Sequence, residues 1–156
     1  MKGSPKGIAA LQAACAAEVR SQVQYRQDAA VLDNAGLPAL AAELLKRADE
    51  EAEHLKLFTE RLVFLGGKPV IAPDPTNYSG DIQPVLDGQL KLETKASSDY
   101  QGFADLAAAE GDAVTRDLFA EIEADEQEHI NYLEGEINVI AKWGIDAYVA
   151  GYRAKG

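Results

Sequence analysis

Helix-breaking residues divide this chain into four long stretches, with a single long connection between the second and the third. The breakers are glycines and prolines at Gly36 with Pro38, at Gly66 with Gly67, at Gly111 and at Gly144. Between them, apolar residues recur at three- and four-residue steps, which is the pattern of an amphipathic helix. The sequence therefore predicts helices at about 5–34, 38–65, 82–110 and 113–141, and a short fifth helix at about 145–151.

The lengths of the connections predict how these helices pack. The first and second helices, and the third and fourth, are separated by only a few residues, so each pair should form an antiparallel hairpin. The middle connection has about 16 residues, which at ~3.3 Å each can run the ~42 Å length of a helix of about 28 residues. We therefore expect an all-α fold in which residues 1–156 form a single domain. It should be a four-helix bundle with one long crossover and a short fifth C-terminal helix.

The composition excludes several classes of protein. The formal net charge of -11 disfavours binding to nucleic acid and to anionic membranes, and it attracts cations. Cys15 is the only cysteine, so the chain can form neither an internal disulfide nor a thiolate zinc cluster. The apolar stretch at 8–17 loosely resembles a signal peptide, but it continues in helical phase into a charged segment. We interpret it as the start of the first helix and expect a cytoplasmic protein.

Polar residues on the apolar faces of the four helices repeat at a fixed offset. Each face carries a glutamate near its middle, and on the second and fourth helices a histidine follows one turn later. The residues separated by 75 positions are Glu18 and Glu93, Glu51 and Glu126, His54 and His129, and Tyr25 and Tyr100. Two similar hairpins docked together would bring these residues into one site with approximate twofold symmetry.

Such a site needs cations. Burying an uncompensated carboxylate costs several kcal/mol, and neighbouring like charges add to that cost. Four glutamates carry a charge of about -4, which two divalent metal ions would neutralise. Mixed oxygen and nitrogen ligands suit iron or manganese. Two Glu-x-x-His pairs and one glutamate from each of the other two helices form the di-iron pattern of ferritin-like bundles.

Several segments together resemble the bacterioferritin family over nearly the whole chain. They are the initial MKG, EVRSQVQY at 18–25, DEEAEH at 49–54, ERLVFLGGKP at 60–69, TRD at 115–117 and DEQEHINYLE at 125–134. The resemblance implies a ferritin-like fold and a hollow homo-oligomeric shell of 24 subunits, built from dimers. It also implies iron storage and a ferroxidase centre in each bundle, where O2 or H2O2 oxidises Fe2+ to Fe3+.

The resemblance also implies a role for each site residue. Two terminal carboxylates, two bridging carboxylates and two histidines would bind two iron ions per subunit, and one tyrosine would hydrogen-bond to a ligand. The terminal carboxylates would be Glu18 and Glu93, and the bridging carboxylates would be Glu51 and Glu126. The histidines are His54 and His129, and the tyrosine is Tyr25. Tyr100 mirrors Tyr25, but core packing explains its position equally well.

Two positions depart from the family pattern. The family binds haem between paired subunits through a methionine that follows the first bridging glutamate, but this chain has Ala52 there and Met1 as its only methionine. We therefore expect no haem with that ligation, unless a second subunit type co-assembles and supplies haem sites of its own. Lys46 replaces a histidine that some relatives use as an extra iron ligand on the inner surface, which puts such a site in doubt.

Other di-iron and ferritin-like proteins fit the sequence less well. A rubrerythrin-like peroxidase needs a cysteine-rich module, which one cysteine cannot supply. A small-molecule di-iron oxygenase usually has a larger chain, and a DNA-protecting mini-ferritin binds its metals between subunits. A small di-iron oxidase or peroxidase without storage, and a partner subunit with a silent site, remain as alternatives.

Overall fold

The structure, a computed structural model, describes residues 2–155 and confirms the all-α bundle. The helices are α1 (Pro5–Asn34), α2 (Pro38–Phe64), α3 (Ile82–Ala109), α4 (Ala113–Trp143) and α5 (Ile145–Arg153). α1 packs mainly against α2 and α3 mainly against α4, and contacts from α1 to α3 and from α2 to α4 join the two hairpins. Within residues 2–155, no helix combines the length and apolarity that crossing a membrane requires.

Local signals set the ends of the helices in each hairpin. The Ser4 hydroxyl accepts a hydrogen bond from the Gly7 N–H at 3.0 Å, and the Asp112 carboxylate accepts one from the Thr115 N–H at 3.0 Å. These contacts satisfy N–H groups that have no partner in the first helical turn. Gly36 and Gly111 follow α1 and α3 with φ of 81° and 75°, a conformation that glycine adopts without steric cost.

The predicted helix ends differ from the observed ones by one or two residues. α2 and α3 end one residue before the predicted 65 and 110, although the N–H groups of Leu65 and Glu110 still donate to the carbonyls four residues earlier. α4 and α5 run two residues beyond the predicted 141 and 151. α4 continues to Trp143 because the break is Gly144, which has φ of 83°.

The crossover between α2 and α3 runs along α1. The Gln12 side chain donates to the Lys68 carbonyl at 3.0 Å, near the start of the crossover. Closer to its end, the Gln24 amide donates to the Asn77 carbonyl at 2.8 Å and accepts from the Asn77 N–H at 2.7 Å. These hydrogen bonds follow α1 in order, so the second hairpin starts at the far end of the first.

Two apolar clusters divide the interior of the bundle, one towards each end. One surrounds Phe58, whose ring centroid lies 5.0 Å from that of Phe119 and 5.3 Å from that of Tyr100. The other contains Leu32, Leu44 and several further residues that are almost fully buried. Burying each such side chain stabilises the fold by about 1.5–3 kcal/mol. A layer of buried polar side chains lies between the two clusters.

Candidate metal centre

The buried polar layer contains all six side chains that the sequence predicts as metal ligands. α1 and α3 each contribute one glutamate, and α2 and α4 each contribute a glutamate and a histidine three residues later. None of the six is more than 4% exposed: Glu18, Glu51, His54, Glu93, Glu126 and His129. Three residues advance a helix by nearly one turn, so each Glu-x-x-His pair points to one face.

The six side chains form two overlapping groups of four. One group is Glu18, Glu51, His54 and Glu126, and the other is Glu51, Glu93, Glu126 and His129. Within each group, one candidate ligand atom from every residue lies within 4.8 Å of the others. Glu51 and Glu126 belong to both groups, so the two groups share a central pair of carboxylates.

Each shared carboxylate directs one oxygen to each histidine. The Glu51 oxygens lie 3.3 Å from His54 Nδ1 and 3.2 Å from His129 Nδ1. The Glu126 oxygens lie 3.4 Å and 3.2 Å from the same two nitrogens. Such a carboxylate can bind two cations at once, one through each oxygen.

Two tyrosines hold the outer glutamates across the hairpin interface. The Tyr25 hydroxyl on α1 donates to Glu93 on α3, and the Tyr100 hydroxyl on α3 donates to Glu18 on α1. Both tyrosines are at most 1% exposed. The sequence predicted this contact for Tyr25 and left Tyr100 open between packing and the site. The structure gives Tyr100 the same type of contact, at the same offset of 75 positions.

The outward nitrogens of both histidines contact carboxylates that the sequence analysis did not assign to the site. His129 Nε2 lies 3.0 Å from Glu50 Oε2, and His54 Nε2 lies 3.3 Å from Asp125 Oδ2. Because a carboxylate accepts, Nε2 carries the proton, which orients Nδ1 towards the centre and suits it for metal binding. The available signal was that Glu50 and Asp125 also share the 75-position offset.

Burial and close contacts separate the pKa values of the four glutamates. Burial and the neighbouring Glu51 carboxylate raise the pKa values of Glu18 and Glu93 well above their ordinary range. Burial also acts to raise the pKa values of Glu51 and Glu126, but contacts with both histidines outweigh it and lower both values. The central pair is therefore ionised at neutral pH, whereas the raised pKa values of the outer pair favour its protonated form in the absence of cations.

The same contacts favour charged histidines. Burial alone would lower the pKa of each imidazole, but carboxylates outweigh this effect. Glu126 and Glu51 raise the pKa of His54 to about 10, and the same two residues with Glu93 raise the pKa of His129 to about 12. Protons thus compensate the buried charge wherever cations do not.

Several buried atoms in the centre have no hydrogen-bond partner within residues 2–155. They are Glu51 Oε1, Glu93 Oε2, both carboxylate oxygens of Glu126, and His129 Nδ1. These atoms face one another or a histidine at 3.2–3.7 Å without forming a hydrogen bond. Buried polar atoms are normally hydrogen-bonded, so such a cluster suggests an external ligand. The atoms are carboxylate oxygens and an imidazole nitrogen, which fits a divalent transition metal.

Comparisons with known proteins show the family to which the chain belongs. A family model described as a ferritin-like domain matches residues 8–142. A bacterioferritin from Brucella melitensis is 32% identical over 149 residues, which cover 95% of this chain and 92% of that protein. A bacterioferritin from Desulfovibrio desulfuricans is 32% identical over 146 residues, covering 93% and 81%. A bacterial ferritin from Pseudomonas aeruginosa is 26% identical over 150 residues, covering 96% and 97%. The chain belongs to the bacterioferritin family.

Ala52 and Lys46, the two positions where the sequence leads us to expect a departure from the family pattern, both lie on α2. Ala52 follows Glu51 directly and is partly exposed, and its methyl group offers no ligand to a haem iron. Lys46 is exposed, and its ammonium lies 3.7 Å from Glu50 Oε1. Met1 lies outside the described residues.

Proposed function

We propose that this chain is a ferroxidase and iron-storage subunit, which oxidises Fe2+ to Fe3+ at a two-iron centre inside its own bundle. One observation carries the proposal: two groups of buried ligand atoms share Glu51 and Glu126, and many of these atoms have no other partner. The charges support it as well, because two divalent ions would balance four carboxylates. The matched ferritin-like domain and the bacterioferritin relatives support iron as the metal.

We assign roles by position in the two groups. Glu51 and Glu126 would bridge the two ions, because each directs one oxygen to each histidine. The other four residues divide between the ions: Glu18 and His54 on one side, Glu93 and His129 on the other. Tyr25 and Tyr100 would orient the outer carboxylates by donating to the oxygen that faces away from the centre.

The chemistry requires two electrons. Each Fe2+ gives up one, and dioxygen or hydrogen peroxide accepts the pair. The protein lowers the barrier by holding both ions in one site of fixed geometry. Carboxylate oxygens are hard ligands that favour the harder Fe3+ product. The buried layer keeps bulk water away, while the outward carboxylates fix both imidazole rings.

Rapid mixing of the metal-free protein with Fe2+ in air tests the assignment. We expect a fast oxidation phase that saturates at about two irons per chain, and Glu51→Ala should abolish it because both groups lose one of their two shared ligands. Glu53→Gln is the control, because Glu53 lies two residues away on α2, is exposed and pairs with Lys56. A full-rate fast phase in Glu51→Ala would refute the site.

Storage requires a closed shell, and we propose one of 24 subunits built from dimers. Electron microscopy of the purified protein separates such a shell from a small oligomer. A mixed shell is the second candidate, because Ala52 leaves this subunit without a thioether for haem. Protein expressed alone should then lack the haem absorbance band, and a haem-containing preparation from the native source should contain a second chain.

A further inference from the structure

The two halves of the metal centre match in their inner residues but differ at the surface. A cavity of about 130 Å³ between α2 and α4 reaches both histidines, and Arg47, Glu50, Asp125 and Glu128 line the rest of it. The acids repeat at the 75-position offset, since Asp125 corresponds to Glu50 and Glu128 to Glu53. The lysine and arginine residues near these acids do not repeat. The positions that correspond to Lys46, Arg47 and Lys56 hold Glu121, Ile122 and Asn131.

On the α2 side, lysine and arginine side chains neutralise the acidic side chains, and one of these pairs holds the His129 ring. Arg47 donates to Glu50 Oε2 at 2.8 Å, and the same oxygen lies 3.0 Å from His129 Nε2. The Arg47 side chain is only 13% exposed, and its guanidinium lies 5.2 Å from the centre of the Tyr132 ring. Because Arg47 is held between Glu50 and the Tyr132 ring, it limits the movement of the Glu50 carboxylate. Glu50 in turn limits the movement of the His129 ring.

On the α4 side, the corresponding acids have no such partners. Within residues 2–155, no lysine or arginine forms an ion pair with Asp125 or Glu128. The Asp125 side chain is 53% exposed, and its contact is with His54 Nε2 at 3.3 Å. By contrast, Glu53 on the α2 side pairs with Lys56 at 3.0 Å. Carboxylates that no lysine or arginine neutralises, beside an opening, raise the local concentration of cations.

We propose that divalent cations enter the centre past Asp125 and Glu128 and exchange at the His54 half, while Arg47 acts as a positioning residue that keeps the His129 half closed. This inference rests on the proposed function, because it assumes that both groups bind metal. His54 can swing outwards once it gives up its Nδ1 contacts with Glu51 and Glu126 and its single outer contact, which is to an exposed carboxylate. His129 can do so only if the Arg47–Glu50 pair also moves.

The kinetics of Co2+ binding test the entry route, because Co2+ binds without the oxidation step and its absorbance reports coordination. We expect Asp125→Asn and Glu128→Gln each to slow association by about threefold to tenfold at low salt, because each removes a negative charge at the opening that no lysine or arginine neutralises. Glu53→Gln is the matched control at the position corresponding to Glu128, and it should change the rate by less than about twofold because its charge is already paired. Equal slowing by Glu53→Gln and Glu128→Gln would overturn the route.

Short soaks of crystals in Zn2+ test the role of Arg47. We expect anomalous density to grow first in the His54 group and later in the His129 group. Arg47→Gln should bring the two occupancies closer together, and Arg47→Lys should restore part of the difference. A merely structural role would lower both occupancies in parallel, and that result would overturn the assignment.

The final occupancies separate this inference from the proposed function. If the wild-type protein fills both groups at equal rates, and Asp125→Asn does not change those rates, the two-metal centre stands and the one-sided route is refuted. A wild-type protein that never binds two ions per chain refutes both.

Discussion

Filling the centre with a redox-inert metal should release about four protons per chain at pH 7, or about two per ion. The perturbation is a titration of metal-free protein with Zn2+, which binds the same oxygen and nitrogen ligands without oxidation. The number follows from the charge of each side chain before and after binding.

Two of the protons come from the outer carboxyls. Burial and the Glu51 carboxylate raise the pKa values of Glu18 and Glu93 well above their ordinary range, which favours their protonated forms, and we expect each to lose its proton when it binds metal. Glu51 and Glu126 contribute none, because their pKa values are lowered and they are already ionised.

The other two protons come from the histidines. With pKa values of about 10 and about 12, His54 and His129 are imidazolium ions at pH 7, and each must free Nδ1 to become a ligand. Before binding, two carboxylates and two imidazolium ions sum to zero. After binding, four carboxylates and two divalent ions again sum to zero. The centre thus exchanges protons for metal without changing its net charge.

The sign of the pH dependence follows. Because metal displaces protons, the apparent affinity should rise with pH by about two logarithmic units per pH unit for each ion. The slope should decrease as the pH approaches about 10, where His54 begins to lose its proton without metal.

Calorimetry in buffers of different ionisation enthalpy counts the released protons, and a pH indicator in weakly buffered solution gives an independent count. Glu53→Gln should leave the count at about four, since Glu53 is exposed and outside both groups. A count of one proton per ion or fewer would mean that the histidines are neutral or the outer glutamates ionised, and it would refute the electrostatic reasoning.

Two further predictions concern neighbouring side chains. Tyr100→Phe should weaken Zn2+ binding in the Glu18 group, and Tyr25→Phe should weaken it in the Glu93 group. We expect each affinity to fall by about 10–100-fold, because each outer carboxylate loses a hydrogen bond. An unchanged affinity in Tyr100→Phe would mean that Tyr100 serves only in core packing. Burial raises the pKa of Asp28 to about 6, so its ionisation destabilises the fold as the pH rises from 4 through 6. Between pH 4 and pH 8, the free energy of unfolding of Asp28→Asn should therefore rise relative to that of the wild type by about 3 kcal/mol, whereas a pH-independent difference would contradict this explanation.

The fold was predictable because its determinants are local. Glycine and proline mark the helix ends, and a reading of their positions places most ends within two residues. The length of the middle connection distinguishes two stacked hairpins from a simple up-and-down bundle. The largest differences lie at the C-terminus, where α4 continues to Trp143 before Gly144 ends it.

The innermost residues of the candidate site were predictable for another reason. Apolar helix faces are normally buried and uncharged, so a glutamate on such a face is unusual. Four such glutamates, in two pairs separated by 75 positions, indicate a common site. Glu50 and Asp125 did not stand out because acids beside a helix face are common and usually solvated. Only the three-dimensional structure shows that their carboxylates reach the histidine of the opposite hairpin. Nothing in the sequence indicated that Arg47 would hold Glu50 against His129.

The position of the polar layer explains how the bundle tolerates it. Six ionisable side chains replace apolar contacts in the middle of the core, and without cations they depend on shared protons for neutrality. An apolar cluster on each side, one around Phe58 and one around Leu44, holds the helices together independently of that layer. The hairpin loops lie beyond these clusters, so fraying at the helix ends does not reach the site. The apolar ends of the bundle therefore provide stability, and the middle can keep a costly charge arrangement that metal ions relieve.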